Sequence, residues 1–424
     1  MSLPKYPEYK DSGVEWLASV PAHWGISQSR RMFAVRSESA LASDRMLTAS
    51  QKYGVLFQSD FVEREGRRVV EVIMGIENLK HVEPNDFIIS MRSFQGGIEW
   101  CKLRGSTSFH YVMLKPIKHV WPPFFAHLFK STQYIQALRR TTDLIRDGQE
   151  LRYSNFAQVD LPIVPLEEQK AIAAFLDRET SKIDALIAEQ EKLLVLLAEK
   201  RQATISLAVT RGVNPDVPMR ESGVPWLGEV PLHWQLSPMK HAVRFQRGHD
   251  LPTEEREEGR VPVVSSGGVS GWHNQAATTG PTIVTGRYGT IGEFTLVEED
   301  CWPLNTALYT IEMHSNLPKY LWYMLQSLKH IFILNSLKTA VPGVDRNDIH
   351  PTIVCLPPVS EQSTIVAFLD AEIAKLNALG AEAERAINLL KERRSALIAA
   401  GVTGKIDVRG VAVSSVTNGE ELAA

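Results

Sequence analysis

The run DSGVEWLASVPAHW at residues 11–24 returns as ESGVPWLGEVPLHW at residues 221–234, with nine of fourteen positions identical at an offset of 210. A second run, EQKAIAAFLD (168–177), returns as EQSTIVAFLD (361–370), with seven of ten identical at an offset of 193. Self-similarity on this scale marks two copies of one structural unit. The text between the matched runs, roughly 25–164 and 235–357, is 140 and 123 residues long, and that difference of 17 accounts for the unequal offsets. The two middles show little similarity to each other by eye. Each copy is a short Trp-containing lead, a variable globular segment and a long helix. Like frames around unlike inserts suit a scaffold that presents two different surfaces. Neutral drift after duplication is the bland alternative, but drift would have eroded the helices as well.

The helices are the most regular text. Leu166 to Thr210 contains no Pro and no Gly, and Ile172, Phe175, Leu176, Ile183, Leu186, Leu194, Leu197 and Ile205 recur at helical spacing. Pro165 precedes the run, Glu167 and Glu168 fall in its first turn, and Arg211-Gly212 fits a stop. At 1.5 Å per residue it would be roughly 67 Å long. The second copy spans about Val359 to Ala400, with Gly380 as its one interior glycine, a weak point for continuity. Helices of this length must bury an apolar stripe. The other copy is the obvious partner, in an antiparallel, coiled-coil-like pair related by a pseudo-twofold; packing of each helix on its own globular segment alone is the alternative.

The middles read as mixed α/β. Strands are expected at Val69–Met74, Phe87–Ser90 and Tyr111–Lys115 in the first, and at Val261–Ser265, Thr282–Thr285 and Thr306–Ile311 in the second. Helical text follows at Pro123–Arg140 and Pro318–Leu337. The expected domains are a lead and first globular domain (1–165), a central long helix (166–212), a second lead and globular domain (213–357), a C-terminal long helix (358–404) and a small, polar, flexible tail (405–424).

No catalytic constellation emerges. The Gly286–Gly292 loop lacks the lysine and spacing of a phosphate loop, and the 12 histidines and three unclustered cysteines give no metal spacing. Trp121-Pro122-Pro123-Phe124 superficially resembles the [DN]-P-P-[FYW] tetrapeptide of amino-methyltransferases, but Trp cannot accept the hydrogen bonds that hold an exocyclic amine; it reads as a turn before a helix. His23 and His233, beside Trp in each lead, suit packing and a satisfied hydrogen bond. Unpaired cysteines and an N-terminus without an apolar core point to a cytoplasmic protein with no signal peptide and no membrane span.

What remains is a reading surface. The net charge is −3 overall, but residues 25–164 carry 19 Lys/Arg against 14 Asp/Glu, while residues 235–357 carry 10 against 12. Readers of nucleic acid need cations for phosphates and donors, amides and aromatics for base edges. Loops offering such mixtures are Lys52-Tyr53, Arg92-Ser93-Phe94-Gln95, Arg104 and Arg146 to Arg152 in the first middle. In the second they are Ser265-Ser266, Arg287-Tyr288-Gly289-Thr290, Asn305-Thr306 and Arg346-Asn347. The negative balance of the second middle argues against its binding DNA unaided.

The leads GVEWLASVPAHW and GVPWLGEVPLHW resemble the signature that opens each half of a type I restriction-modification specificity subunit. The two xEQxxIxAFLDxE helices, at 167–179 and 360–372, are similar to the repeated helices of that family. The loop Thr285–Gly292 before Asn305-Thr306-Ala307 resembles a frequent pattern of its target recognition domains; the first middle departs from it, since Ser90–Gly97 lacks the Gly-Thr-x-Gly core. The resemblance covers essentially the whole chain. It implies a non-catalytic subunit whose two α/β recognition domains each read half of a bipartite double-stranded DNA site, held apart by the helical pair as a ruler. It also implies two methyltransferase subunits docked on the repeated frame, carrying S-adenosylmethionine, and restriction-translocase subunits using ATP and Mg; this chain itself would hold no cofactor or metal. A coiled-coil adaptor whose globular domains bind proteins is the competing class.

Overall fold

Proline starts both long helices. In the computed structural model, the carbonyl of Pro165 accepts from the N–H of Glu168 and Gln169, and that of Pro358 from Glu361 and Gln362, so each helix opens on the same turn. The first helix runs Leu166–Arg211 and the second Val359–Val402, unbroken at Gly380. The structure describes residues 3–66, 78–90, 93–141, 151–338 and 342–410, without the side chain of Phe94. The strand expected at Val69–Met74 lies outside them.

The chain divides into two compact units, one built from Met1–Glu189 with Ala386–Ala424 and the other from Gln190–Arg385. Each therefore contains part of both long helices. In the first unit Ile172, Phe175 and Leu176 share a core with Ile398 and Val402, and Arg394 forks onto Asp184 at 2.7 and 3.1 Å. In the second, Ile205, Ala208 and Val209 share a core with Ile365, Leu369 and Ile373. Rising numbers on one helix meet falling numbers on the other, so the pairing is antiparallel in both units. The alternative in which each helix packs only on its own globular segment fails, because Ile398 and Val402 lie in the first unit's core.

The two middles, dissimilar as text, are built on separate sheets of the same strand order. In the first unit four antiparallel strands lie in the order Phe33–Arg36, Val112–Pro116, Phe87–Ile89, Glu99–Trp100. In the second the order is Arg244–Arg247, Ala307–Glu312, Thr282–Gly286, Phe294–Val297. Two helices follow each sheet, Pro122–Lys130 and Thr132–Arg140, then Pro318–Ser327 and Lys329–Ser336; a break at Ser131 and at Leu328 divides what the sequence reads as single helices. What differs is the decoration. The first unit adds the hairpin Leu47–Ser50/Gly54–Phe57 and the pair Lys80–Val82/Gly105–Thr107, and the second a three-stranded sheet around Val261–Ser265.

Each middle is fastened to its frame chiefly through backbone. Its first and last strands pair, Gly25–Gln28 with Asp160–Ile163 and Gln235–Pro238 with Ile353–Leu356. The buried Gln169 accepts from the Trp121 N–H at 2.7 Å and donates to the carbonyls of His119 and Val164. Gln362 repeats this, accepting from the Leu317 N–H at 2.9 Å and donating to the carbonyl of Pro357 and to Asn316 Oδ1. The neighbouring glutamate gathers the lead. Glu168 accepts from Trp24 Nε1 at 3.0 Å, meets His23 Nε2 at 2.8 Å and takes the Tyr6 hydroxyl. Glu361 accepts from Trp234 Nε1 at 2.9 Å and meets His233 Nε2 at 2.6 Å. The aspartate that closes each motif ties down the first helix after the sheet, Asp177 to His127 and Asp370 to Lys319 and Tyr323, each at 2.7 Å.

Gly212 and Gly404, at φ +77° and +73°, end the two long helices against a lead tryptophan: a Cβ on Gly212 would lie 3.2 Å from the Trp234 ring, and one on Gly404 2.4 Å from Pro21 and 3.0 Å from Trp24. Within the stretch expected as a flexible tail, residues 406–408 instead pack. Val408 is fully buried in the first unit's core, which also contains Trp24, and the Asp407 N–H bonds the Pro4 carbonyl at 2.8 Å. Burial of apolar Ile406 and Val408 against the lead explains the difference.

Candidate nucleic-acid interface

In the second unit a cleft of about 620 Å³ opens between the sheet edge and the short helix Arg346–Ile349. Arg247, Arg287 and Arg346 line it, with Asp250, Asp345 and Asn347. The chain reaches it from three directions. Arg247 ends a sheet strand, paired with Leu308. Arg287 follows the strand Thr282–Gly286; its N–H bonds the Thr306 carbonyl at 2.9 Å and its own carbonyl accepts from Val344 at 2.9 Å. Arg346 begins a helix that Asp345 caps by accepting from the Asn347 N–H at 2.8 Å. Glycine is required beside them, since a Cβ on Gly248 would lie 2.2 Å from the Leu304 carbonyl oxygen.

The other candidates of this unit ring the same loop. Tyr288 lies under the Arg287 guanidinium, 4.8 Å from ring to Cζ, and its ring meets Gly343, where a Cβ would come within 2.6 Å of it. Ser266 stands across from Gly289 and Thr290 across from Gly267, at would-be Cβ distances of 3.4 and 3.7 Å, and Ser265 closes its own turn onto Gly268 at 3.1 Å. Asn305 donates to Asp250, which also stands 3.8 Å from Arg247. Arg287, Arg346 and Asn347 thus converge on one cleft, and Ser265, Ser266, Tyr288, Thr290 and Asn305 border it or its loop. Sequence reading missed Arg247, because a strand end carries none of the loop signature used to find the rest.

The first unit presents a different arrangement. Lys52 and Tyr53 form the turn of the hairpin, and both reach Glu65, the lysine at 3.2 Å and the phenol at 2.8 Å, with Lys52 over the Tyr53 ring at 4.6 Å. The turn Ser93–Gly96 lies against Gln51, which brings exposed Gln95 to the same region. Ser93 itself is buried and accepts from the Ser90 N–H at 2.8 Å, so it builds the turn and is removed from the candidate interface. Arg104 stands 3.5 Å from Glu83, and exposed Arg152 precedes the short helix Tyr153–Phe156. Arg92 and Arg146 lie outside the described residues, as does the Phe94 side chain.

Beneath this surface His81 is wedged between Asp44 at 2.6 Å and Glu83 at 2.8 Å. Burial alone would depress its pKa, but the two carboxylates more than reverse that and hold it above the ordinary value.

Cys101, Cys301 and Cys355 are buried, which pushes their thiols up to about 11, 11 and 12 and keeps them protonated at neutral pH. Among the described residues no group of three or more His, Cys, Asp or Glu could hold a metal ion, and no helix is long and apolar enough to cross a membrane.

Residues 32–194 and 232–388 match the family model of the type I restriction modification DNA specificity domain. The specificity subunit of type I restriction enzyme EcoKI from Escherichia coli (strain K12) is 23% identical over 374 residues, covering 78% of this chain and 77% of that protein. That of MjaVIII from Methanocaldococcus jannaschii is 31% identical over 93 residues, 22% of this chain and 20% of that protein. A chain solved in work on complex assembly and conformational transition of the type I R-M system aligns with a TM-score of 0.65 at 15% identity, covering 91% of this chain and 99% of that one. The HsdS subunit from Thermoanaerobacter tengcongensis aligns with a TM-score of 0.52 at 15% identity, covering 91% and 98%. At such identity the structural likeness speaks for the fold alone.

Proposed function

The chain belongs to the type I restriction-modification DNA specificity family, and from that premise we propose that it reads a bipartite, asymmetric duplex site, one recognition domain to each half. It is a specificity subunit, not an enzyme, and its task is address rather than chemistry. Two methyltransferase subunits dock on the repeated frame, bind S-adenosylmethionine and flip the target adenine in each half-site. Restriction-translocase subunits bring ATP and Mg. The assembly works in the cytoplasm.

The observation that carries this reading is the pairing of one scaffold with two faces: the same four-stranded sheet order and the same Gln and Glu clamps in both units, under different surface side chains. A repeated frame can receive two identical partners, while unlike faces read unlike sequences, so the site need not be palindromic. Each specified base pair contributes about 1–3 kcal/mol of discrimination. Two short half-sites add up only at a fixed separation, which a flexible linker would not hold.

The test is exchange of residues 25–164 for the corresponding segment of another family member, with methylated adenines mapped genome-wide. One half-site should change and the other persist; change in both would end the modular reading. Binding of the reconstituted complex to its DNA should also weaken steeply with salt. A flat salt response would favour a protein-binding adaptor.

A further inference from the structure

We infer that the Arg-lined cleft of the second unit reads a G·C base pair from the major groove, its guanidiniums donating to guanine O6 and N7 and a carboxylate accepting from the cytosine N4 amine. The inference rests on the reading that this unit binds duplex DNA, and adds to it the base pair and the residues.

Three arginines, Arg247, Arg287 and Arg346, line one cleft of about 620 Å³. Arg287 and Arg346 make no salt bridge with any described carboxylate, and Arg247 has one at 3.8 Å. On the matching edge strand of the first unit, by contrast, Arg36 is engaged by Asp86 at 2.6 Å and Glu38 at 2.7 Å. Arg287 is also aimed. Its backbone is held on both sides, by Thr306 and Val344, and its head is braced over Tyr288. A preorganised fork of this kind suits two parallel hydrogen bonds to one planar acceptor edge.

Phosphate is the obvious rival, and the wall argues against it. Asp250 and Asp345 line the same cleft, where their charges repel an anion. Residues 235–357 carry net negative charge besides. The edge of a G·C pair, in contrast, needs both signs: two acceptors on guanine and one donor on cytosine. Asp345 spends one oxygen on the Asn347 N–H. An A·T pair would call on an amide instead, and of the two amides here Gln246 already reaches the Tyr309 hydroxyl at 3.4 Å.

The experiment uses the chain assembled with its methyltransferase partner, after methylation mapping and exchange of 25–164 have assigned the half-site that stays with the second unit. Each guanine of that half is replaced in turn by 7-deazaguanine, which pairs normally but lacks the N7 acceptor. One position should lose affinity, by up to roughly 150-fold, the upper bound for a bidentate contact of which the analogue removes one acceptor. Arg287→Ala or Arg346→Ala should abolish the sensitivity at that position. Arg287→Lys, which keeps the charge without the fork, should lower discrimination and leave the salt dependence unchanged.

Indifference to 7-deazaguanine at every guanine overturns the proposal, and so does a half-site that specifies only A·T pairs. Equal loss on all sequences in the arginine variants would mark phosphate contacts and overturn it as well. A second half-site with no sequence requirement in the unsubstituted complex is a separate outcome: it would remove the DNA-reading role of the unit itself.

Discussion

Trp24 donates its indole N–H to Glu168 at 3.0 Å across 144 residues of chain, and Trp234 repeats the bond to Glu361 at 2.9 Å across 127. The inserts between differ by the same 17 residues that separate these spans. The frame is therefore closed by a pair of residues that does not register what lies between them, which is what an exchangeable reading domain requires.

The two clamps are not equally strong. Glu168 is 5% exposed and gathers Tyr6, His23 and Trp24, whereas the Glu361 side chain is 39% exposed and gathers His233 and Trp234. Glu168→Ala strands buried donors and should destabilise the first unit by about 3 kcal/mol. Glu361→Ala should cost the second unit about 1 kcal/mol, since water can replace the carboxylate. Protection of core amides in each unit, followed by hydrogen exchange, separates the two effects; equal losses would contradict the burial argument.

His81 gives the first unit a pH dependence. Its folded pKa lies above the ordinary 6.5, so the stabilisation from Asp44 and Glu83 is complete below that value and is lost as pH rises through the raised one. Protection of the Lys80–Val82 amides should fall over that rise in the unsubstituted chain and stay level in His81→Gln. Parallel profiles would show that the imidazole carries no charge there.

Gly404→Ala should be destabilising by about 2 kcal/mol or more, because φ is +73° and the new Cβ meets Pro21 and Trp24. Gly410→Ala is the control, with nothing within 4 Å of the added carbon. Thermal melts of both variants decide it, and a neutral Gly404→Ala would refute the close approach.

Gly380→Ala should stabilise by about 0.5–1 kcal/mol. The residue sits inside the second long helix, a Cβ there makes only an ordinary contact with Leu194 at 3.8 Å, and alanine loses less backbone entropy on folding. An unchanged urea midpoint would indicate that the glycine is doing something the packing does not reveal.

Helical periodicity reads the long helices to within two residues: Leu166–Thr210 against Leu166–Arg211, and Val359–Ala400 against Val359–Val402. An uninterrupted apolar stripe between proline and glycine leaves little ambiguity. The common sheet was illegible, because what the two middles share is strand order, and different side chains satisfy the same backbone ladder. Local text also nominates Arg287 and Arg346 without revealing that they line one cleft with Arg247, since three separate chain segments must fold before the cleft exists. Ser93 fails for the converse reason: a hydroxyl in a polar loop looks available until the turn it caps is seen. The glutamines of the EQ motifs repeat visibly, but nothing in their spacing tells that their partners are mostly backbone atoms.

The first unit takes Ile398, Val402 and Val408 into a core otherwise built from residues before 190, while the second is one contiguous stretch, Gln190–Arg385. A ribosome delivers the stretch from 386 onward only after that whole second stretch has emerged. The half that is translated first is therefore the half completed last, and a message truncated before Ile398 yields one finished reader beside another whose hydrophobic interior stands open to chaperones and proteases.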